Sequence, residues 1–330
     1  MDVLSDVLRN VRLSGALLFF AEYRSPWCVA CPPSEMIAPL LVPGARRLVI
    51  FHIVIDGACL AGRPDEAPVA LHAGDAVMMV QGDPHILGDE AGREAIPLVE
   101  LLPMPPWKKA PYLVHGGNGP LTRVLCGFLH CADAQLSPFL ATLPPVLRVE
   151  GSEGVASSLL PVQRLLIEEA RNERPGYACV LSRLTETFFV EALRQHMSTQ
   201  KDTSRALAAL KDPVVGDALA RIHEDPLRAW SVEALAREIA VSRSLLASRF
   251  SALMDCPPMQ YLTRWRLLMA ARRLYEGNES IAAVGAWIGY ESEAAFNRAF
   301  KRHFGAPPAT WLGKARKDKD AEPDPKLDDS

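Results

Sequence analysis

The chain has 330 residues, 49% of them hydrophobic and 23% charged, and its 36 Lys+Arg against 39 Asp+Glu leave a formal net charge of −3. That length and apolar content suffice for two independent cores, and no apolar run, Leu13 to Phe20 included, is long enough to cross a bilayer. The N-terminus lacks a basic segment and cleavage site, and the seven cysteines are odd in number without framework spacing, so a cytoplasmic protein with reduced thiols is expected.

From residue 1 to about 150 the pattern is that of a small β-barrel. Short β-type runs at Arg47–Ile55, Ala76–Val80 and Leu121–Cys126 alternate with Gly/Pro/Asp turns. Gly74-Asp75, then Val77 to Val80, then Gly82-Asp83-Pro84-His85 spell a turn, a strand and a tight glycine turn ending on a histidine. This resembles the second motif of the cupins, which implies that His85 points into the barrel. The first motif of enzymatic cupins would bring a His-x-His and a glutamate. Here His52 stands alone with Val54 two residues on, so the usual metal cage is incomplete.

His52, His85 and His115 together with Cys28, Cys31 or Cys59 could still supply a tetrahedral N/S site for zinc or another divalent metal. Cys28-Val-Ala-Cys31 also has the spacing of a redox pair, and the flanking Pro26-Trp27 and Pro32-Pro33 suggest a loop. Structural roles, an oxidant-sensing thiol pair and a metal site all stay open, and no cofactor is assigned. Cys126, Cys179 and Cys256 lie among apolar residues and read as small core side chains.

Over residues 151–200 the period becomes helical. Val155, Leu159, Leu160, Val162, Leu165 and Leu166 form one stripe, and Val180, Leu181, Leu184, Phe188, Val190 and Leu193 form another after the Arg174-Pro-Gly-Tyr177 break. Such a hairpin either packs on the barrel or pairs with a second copy. Residues 201–229 then read as a linker, with Gln200 to Asp212 as the connection, and a leading helix.

Within 230–315 one two-helix pattern is written twice. From Ser242/Ser292 onward the offset is 50, which matches Phe250 to Phe300, Pro257-Pro258 to Pro307-Pro308 and Tyr261 to Trp311. Upstream it is 49, matching Leu235 to Val284 and Ile239 to Ile288. The turn residues are Ala240 and Gly289, where a bulky side chain would hinder close packing of the helices. Ser242 and Ser292 are N-cap residues for the second helix of each copy. Leu246/Phe250 and Phe296/Phe300 face inward, leaving Arg243, Ser244, Ala247 and Ser248, or Glu293, Ala294, Asn297 and Arg298, to face outward. A helix from Tyr261 to Tyr275 joins the copies. This is the geometry of paired helix-turn-helix units that enter a DNA major groove.

The residues Ser231 to Ala236, Met259 to Arg266, Ile288-Gly-Tyr-Glu-Ser292, Phe296 to Lys301 and Phe304 to Pro308 resemble the AraC/XylS transcription regulators. The N-terminal region likewise resembles the cupin-type sensor of one AraC subgroup. The resemblance implies base contacts from Ser244, Ala247, Ser248, Glu293, Ala294, Asn297 and Arg298. Ser242, Arg243, Arg249, Ser292, Lys301 and Arg302 complete the candidate DNA surface. Ser248 stands where the family often has arginine, so readout by the first helix is expected to be thin, with Arg298 and DNA shape carrying more.

Charge distribution agrees, since residues 201–317 sum to about +6, residues 1–200 to about −5 and the remaining tail to about −4. The reading is an α+β multidomain chain: a cupin-like sensor (1–150), a helical hairpin that mediates dimerisation (151–200), a linker and leading helix (201–229), a tandem helix-turn-helix domain (230–315) and a disordered acidic tail (316–330). Its function is sequence-specific DNA-binding transcription regulation, without enzymatic activity, under control of a small molecule or oxidant. Operator DNA, a second copy and RNA polymerase are the partners this implies, in a bacterial cytoplasm. The alternatives are a metal-binding cupin enzyme fused to a DNA-binding domain and a non-specific architectural DNA binder.

Overall fold

Period-two alternation builds the first unit of the chain and 3.6-residue periodicity builds the second. The computed structural model describes residues 13–42, 45, 47–103, 110–131, 143–151, 159–172, 174–199, 205–277 and 279–313. The acidic tail and Val155 of the first helical stripe lie outside these residues. Among the described residues, no helix is long and apolar enough to cross a membrane.

The first unit contains β1 (Leu13–Arg24), β2 (Cys28–Cys31), α1 (Ser34–Leu41), β3 (Leu48–Asp56), β4 (Ala58–Gly62), β5 (Val69–His72) and β6 (Ala76–Met79). It continues with β7 (His85–Gly88), β8 (Ile96–Pro97), α2 (Leu98–Leu101), β9 (Tyr112–Gly116), β10 (Leu121–Cys131) and β11 (Val146–Val149). One sheet has the order β11-β6-β3-β10-β1-β9 and the other β5-β4-β7-β2-β8. Both contribute to a single core that includes Phe19, Ala21 and Tyr23 of β1, Val29 and Cys31 of β2, Ile50 and Val54 of β3, and Leu87 of β7. Val54 therefore occupies, inside the barrel, the place of a second motif histidine.

The opposite face of β3 and β10 is covered by helix rather than water. Phe51 meets Phe188 with ring centroids 5.4 Å apart. A Cβ on Gly127 would lie 2.2 Å from Phe51 Cζ, so glycine on β10 makes the room that the Phe51 ring fills. The covering hairpin is α3 (Leu159–Asn172) and α4 (Tyr177–Thr199). Gln195 grips the backbone of Glu150, accepting from its N–H at 2.9 Å and donating to its carbonyl at 2.6 Å. Phe188 and Phe189, both buried, contribute about 1.5–3 kcal/mol each by leaving water. The hairpin thus braces its own barrel through α4.

Several expectations need correction here. Cys28–Cys31 is a strand and not a loop, because it pairs with β7 on one side and β8 on the other. Leu165 and Val180, assigned to the apolar stripes, are exposed. Cys179 is exposed rather than core, since the start of α4 presents that position to solvent.

The second unit is all helical: α5 (Arg205–Lys211), α6 (Pro213–Glu224), α7 (Val232–Glu238), α8 (Arg243–Met254), α9 (Pro258–Glu276), α10 (Ile281–Trp287) and α11 (Glu293–Phe304). The stretch read as a plain connection before Asp212 therefore contains a helix, α5. Among the described residues two cores form, beside a smaller cluster around Trp265 and Leu268. Leu219, Leu235, Leu246, Phe250 and Leu262 belong to the first, and Leu267, Leu274, Val284, Phe296 and Phe300 to the second. Helix α9 takes part in both, and its 19 residues span about 28 Å.

Candidate nucleic-acid interface and the barrel interior

The repeat seen in the sequence recurs in backbone detail. Ser231, Ser242, Ser280 and Ser292 cap α7, α8, α10 and α11, each hydroxyl accepting from a first-turn N–H. Such a cap contributes about 1 kcal/mol. In both turns an N–H reaches back five residues at 3.0 Å, Val241 to Ala236 O and Tyr290 to Gly285 O. The residue just before is left-handed in each copy, Ala240 at φ 56° and Gly289 at φ 97°.

Crowding is not what keeps Gly289 small, contrary to the expectation. A Cβ there would meet only the Arg266 Nη1 atom, at 3.7 Å. The constraint is backbone conformation, which glycine adopts at no steric cost.

The two recognition helices differ in how their polar side chains are engaged. On α8, Ser242 caps the helix and also meets Ser244 at 3.2 Å, Ser248 donates to Leu245 O at 3.1 Å, and Arg243 pairs with Glu233 at 2.9 Å. Arg249, assigned to the DNA surface, is tied to Asp212 at 2.6 Å. That carboxylate also accepts from Val214 N and Val215 N as the N-cap of α6, and these donors help hold its pKa below the usual value. Arg249 therefore braces α8 against α6.

On α11 the side chains of Glu293, Ala294, Arg298, Lys301 and Arg302 are exposed, Asn297 is half-buried, and Ser292 serves as the cap. Arg298, Lys301 and Arg302 make no hydrogen bond or ion pair among the described residues. Their i, i+3, i+4 spacing puts them on one face. Ala247 on α8 is half-buried.

The second cluster of interest is inside the barrel. His52 Nε2 meets His85 Nε2 at 2.7 Å, and His52 Nδ1 meets Cys126 Sγ at 2.6 Å. His85 Nδ1 donates to Asp83 O at 2.9 Å. Burial depresses both imidazoles, His85 to about 4 and His52 well below its ordinary value, so both are neutral. With the His85 proton on Nδ1, its Nε2 can only accept. His52 then donates from Nε2, and its Nδ1 accepts from the Cys126 thiol. The hydrogen bonds run one way, Cys126 to His52 to His85 to Asp83.

Cys31 Sγ joins the imidazoles, with one donor atom from each of Cys31, His52 and His85 lying within 4.8 Å of the others. Burial pushes the Cys31 and Cys59 thiols up to about 12 and raises Cys126 as well. Cys59 is buried in the same core but outside this triad. His115 sits half-buried on β9, the edge strand of its sheet, away from the cluster.

The pairing of Cys28 with Cys31 does not survive. Three residues along a strand separate Cα atoms by about 10 Å and turn side chains to opposite faces, beyond disulfide reach. Accordingly, Cys31 belongs to the barrel core and Cys28 does not. Sequence reasoning also missed Cys126 as a functional candidate. Its cross-strand register with His52 is the feature that brings it in.

Tandem helix-turn-helix units behind a cupin-like barrel define a DNA-binding transcription regulator. Comparison with known proteins agrees: residues 2–198 match a cupin family (Cupin_6) and residues 235–314 a helix-turn-helix domain family (HTH_18). An AraC-like transcription regulator of Streptomyces antibioticus is 31% identical, covering 94% of this chain and 98% of that one. The transcriptional regulator AlkR of Acinetobacter baylyi is 25% identical, covering 93% and 98%. Among solved structures, the DNA-binding domain of AdpA in complex with a target DNA is 29% identical with a TM-score of 0.31, covering 33% of this chain and 98% of that one. The chain belongs to the AraC-type DNA-binding transcription regulators that carry an N-terminal cupin domain.

Proposed function

We propose that this regulator reads a specific operator chiefly through α11, and that its cupin domain senses a small molecule or oxidant that shifts the population able to bind DNA. The observation that carries the operator reading is the contrast between the helices. The polar side chains of α8 are engaged within the protein, while Arg298, Lys301 and Arg302 extend from one face of α11. Arg298 has the reach and fork geometry to bond a guanine edge, and Lys301 and Arg302 suit flanking phosphates. The sensing reading is supported by the buried thiol–imidazole cluster, a polar group set in an otherwise apolar core. A cytoplasmic homodimer acting with RNA polymerase fits this reading, with the barrel a sensor and not an enzyme.

The test is DNA binding by the purified full-length protein to its own upstream region and to scrambled DNA at about 150 mM salt. Operator binding about a thousandfold tighter than to scrambled DNA is expected. Arg298→Ala should cost roughly 1–3 kcal/mol of it. Equal binding to both DNAs, unchanged by the substitution, would overturn the operator reading in favour of non-specific binding.

A further inference from the structure

The interior of the barrel holds one group of donors that the DNA-binding function does not use. Cys31, His52 and His85 come from three strands in two sheets, and all three are buried. We propose that Cys31 Sγ, His52 Nε2 and His85 Nε2 form a binding site for a thiophilic divalent ion of the zinc type, seated between the two imidazoles.

The donor set selects the ion. Two imidazoles and a thiolate suit zinc and its relatives, whereas magnesium and calcium require oxygen ligands, which the triad lacks. Tetrahedral zinc with bonds of roughly 2.0–2.3 Å places its ligand atoms about 3.3–3.8 Å apart. Starting from imidazole nitrogens 2.7 Å apart and a triad spread of 4.8 Å, the rings separate by about half an ångström and the thiolate turns inward. Those are rotamer-scale adjustments.

The hydrogen bond on His85 is already that of a metal site. Asp83 O holds the His85 proton on Nδ1 and leaves the Nε2 lone pair aimed inward, the usual outer support of a metal-bound histidine. For His52 the proton moves from Nε2 to Nδ1, which then donates a hydrogen bond to Cys126 Sγ while the thiol proton turns away. His52 thus keeps its proton count. The Cys31 thiol loses its proton to solvent, and its sulfur lone pair forms the bond to the ion.

This is not the three-histidine, one-carboxylate cage of enzymatic cupins. Val54 fills the second histidine's place, and Cys31 comes from β2, outside both motifs. Three protein ligands leave a fourth position for a small exogenous ligand. The inference deepens the sensing reading and depends on it only for the regulatory consequence.

The test uses full-length protein produced in medium supplemented with zinc or, separately, cobalt(II), so that the buried site loads during folding. One equivalent of zinc per chain is expected, and in the cobalt protein a thiolate-to-cobalt charge-transfer band with tetrahedral d–d intensity. Cys31→Ser should abolish the charge-transfer band and His85→Gln should lower metal content by tenfold or more. Cys28→Ser, on the other strand face, should leave both unchanged. Circular dichroism and DNA binding report whether each variant has folded. Wild-type protein without bound metal, or folded Cys31→Ser with an intact charge-transfer band, would overturn the site. Stoichiometric metal with the same operator affinity loaded and stripped would uphold the site and refute the sensing role assigned to it.

Discussion

Gly285 lies inside α10, where glycine costs a helix about 1 kcal/mol relative to alanine. Removing that cost is opposed by the packing. A Cβ at this position would stand 2.9 Å from Cγ and Cδ1 of Phe296 and 3.0 Å from its Cβ, and these are atoms near the backbone that cannot swing away. Overpacking of this kind costs about 1–3 kcal/mol, so Gly285→Ala should destabilise α10 and α11 by about 1 kcal/mol net. In the first copy the matching residues are Ala236 and Leu246, both buried. The copies therefore trade volume, a larger residue on one helix for a smaller one on its neighbour. Phe296→Leu alone should cost about 1–2 kcal/mol, because its fully buried ring packs on Tyr290 and Phe300 at 5.6 and 5.5 Å. The double variant recreates the Ala/Leu pair and should cost at least about 1 kcal/mol less than the two single costs together. Native-state hydrogen exchange of the α10 and α11 amides in the full-length chain reads this locally. Strictly additive costs, or a stabilising Gly285→Ala, would refute the argument.

Three further expectations rest on the same unit. Asp212→Ala should weaken α6 by about 1–2 kcal/mol, and Asp212→Asn should recover most of it by restoring the cap without the Arg249 ion pair; exchange rates of the α6 amides will show this. His223 is buried beside Tyr261, with its pKa driven down by burial to about 4. The unfolded chain takes up this proton near pH 6.5, so stability present above that pH should fall by up to about 3 kcal/mol towards pH 4. Denaturant titrations across that range should show a shallower decline in His223→Gln, and parallel declines would contradict the assignment. Gly289→Ala should destabilise the second motif by about 1–2 kcal/mol, seen as faster exchange in α10, since φ 97° lies beyond the narrow part of the left-handed region, about +50 to +70°, that a residue with a Cβ such as Ala240 at 56° tolerates.

The DNA-binding unit was legible because its determinants are short-range. Serine caps, residues four apart on an inward face and a left-handed turn residue act within a few positions, so two copies of the pattern fold alike and announce themselves by repetition. Even there the reason for Gly289 was misread as crowding. The engagement of Arg249 by Asp212 joins residues 37 apart, and no local pattern carries that contact.

The barrel was legible as a fold class through alternation and turns, but its interior was not. A Cys-x-x-Cys spacing means proximity in a loop and separation in a strand, and only pairing with β7 and β8 settles which one holds here. His52, His85 and Cys31 lie in separate segments whose contact depends on two sheets closing over one core, and Cys126 enters by strand register alone. The amino-acid order by itself determined the fold class, the repeat and the inward faces of the recognition helices, because these follow from local backbone preference and periodicity. Tertiary structure alone decided which thiols and imidazoles meet, and which arginines are held by carboxylates, because those are contacts between segments distant along the chain.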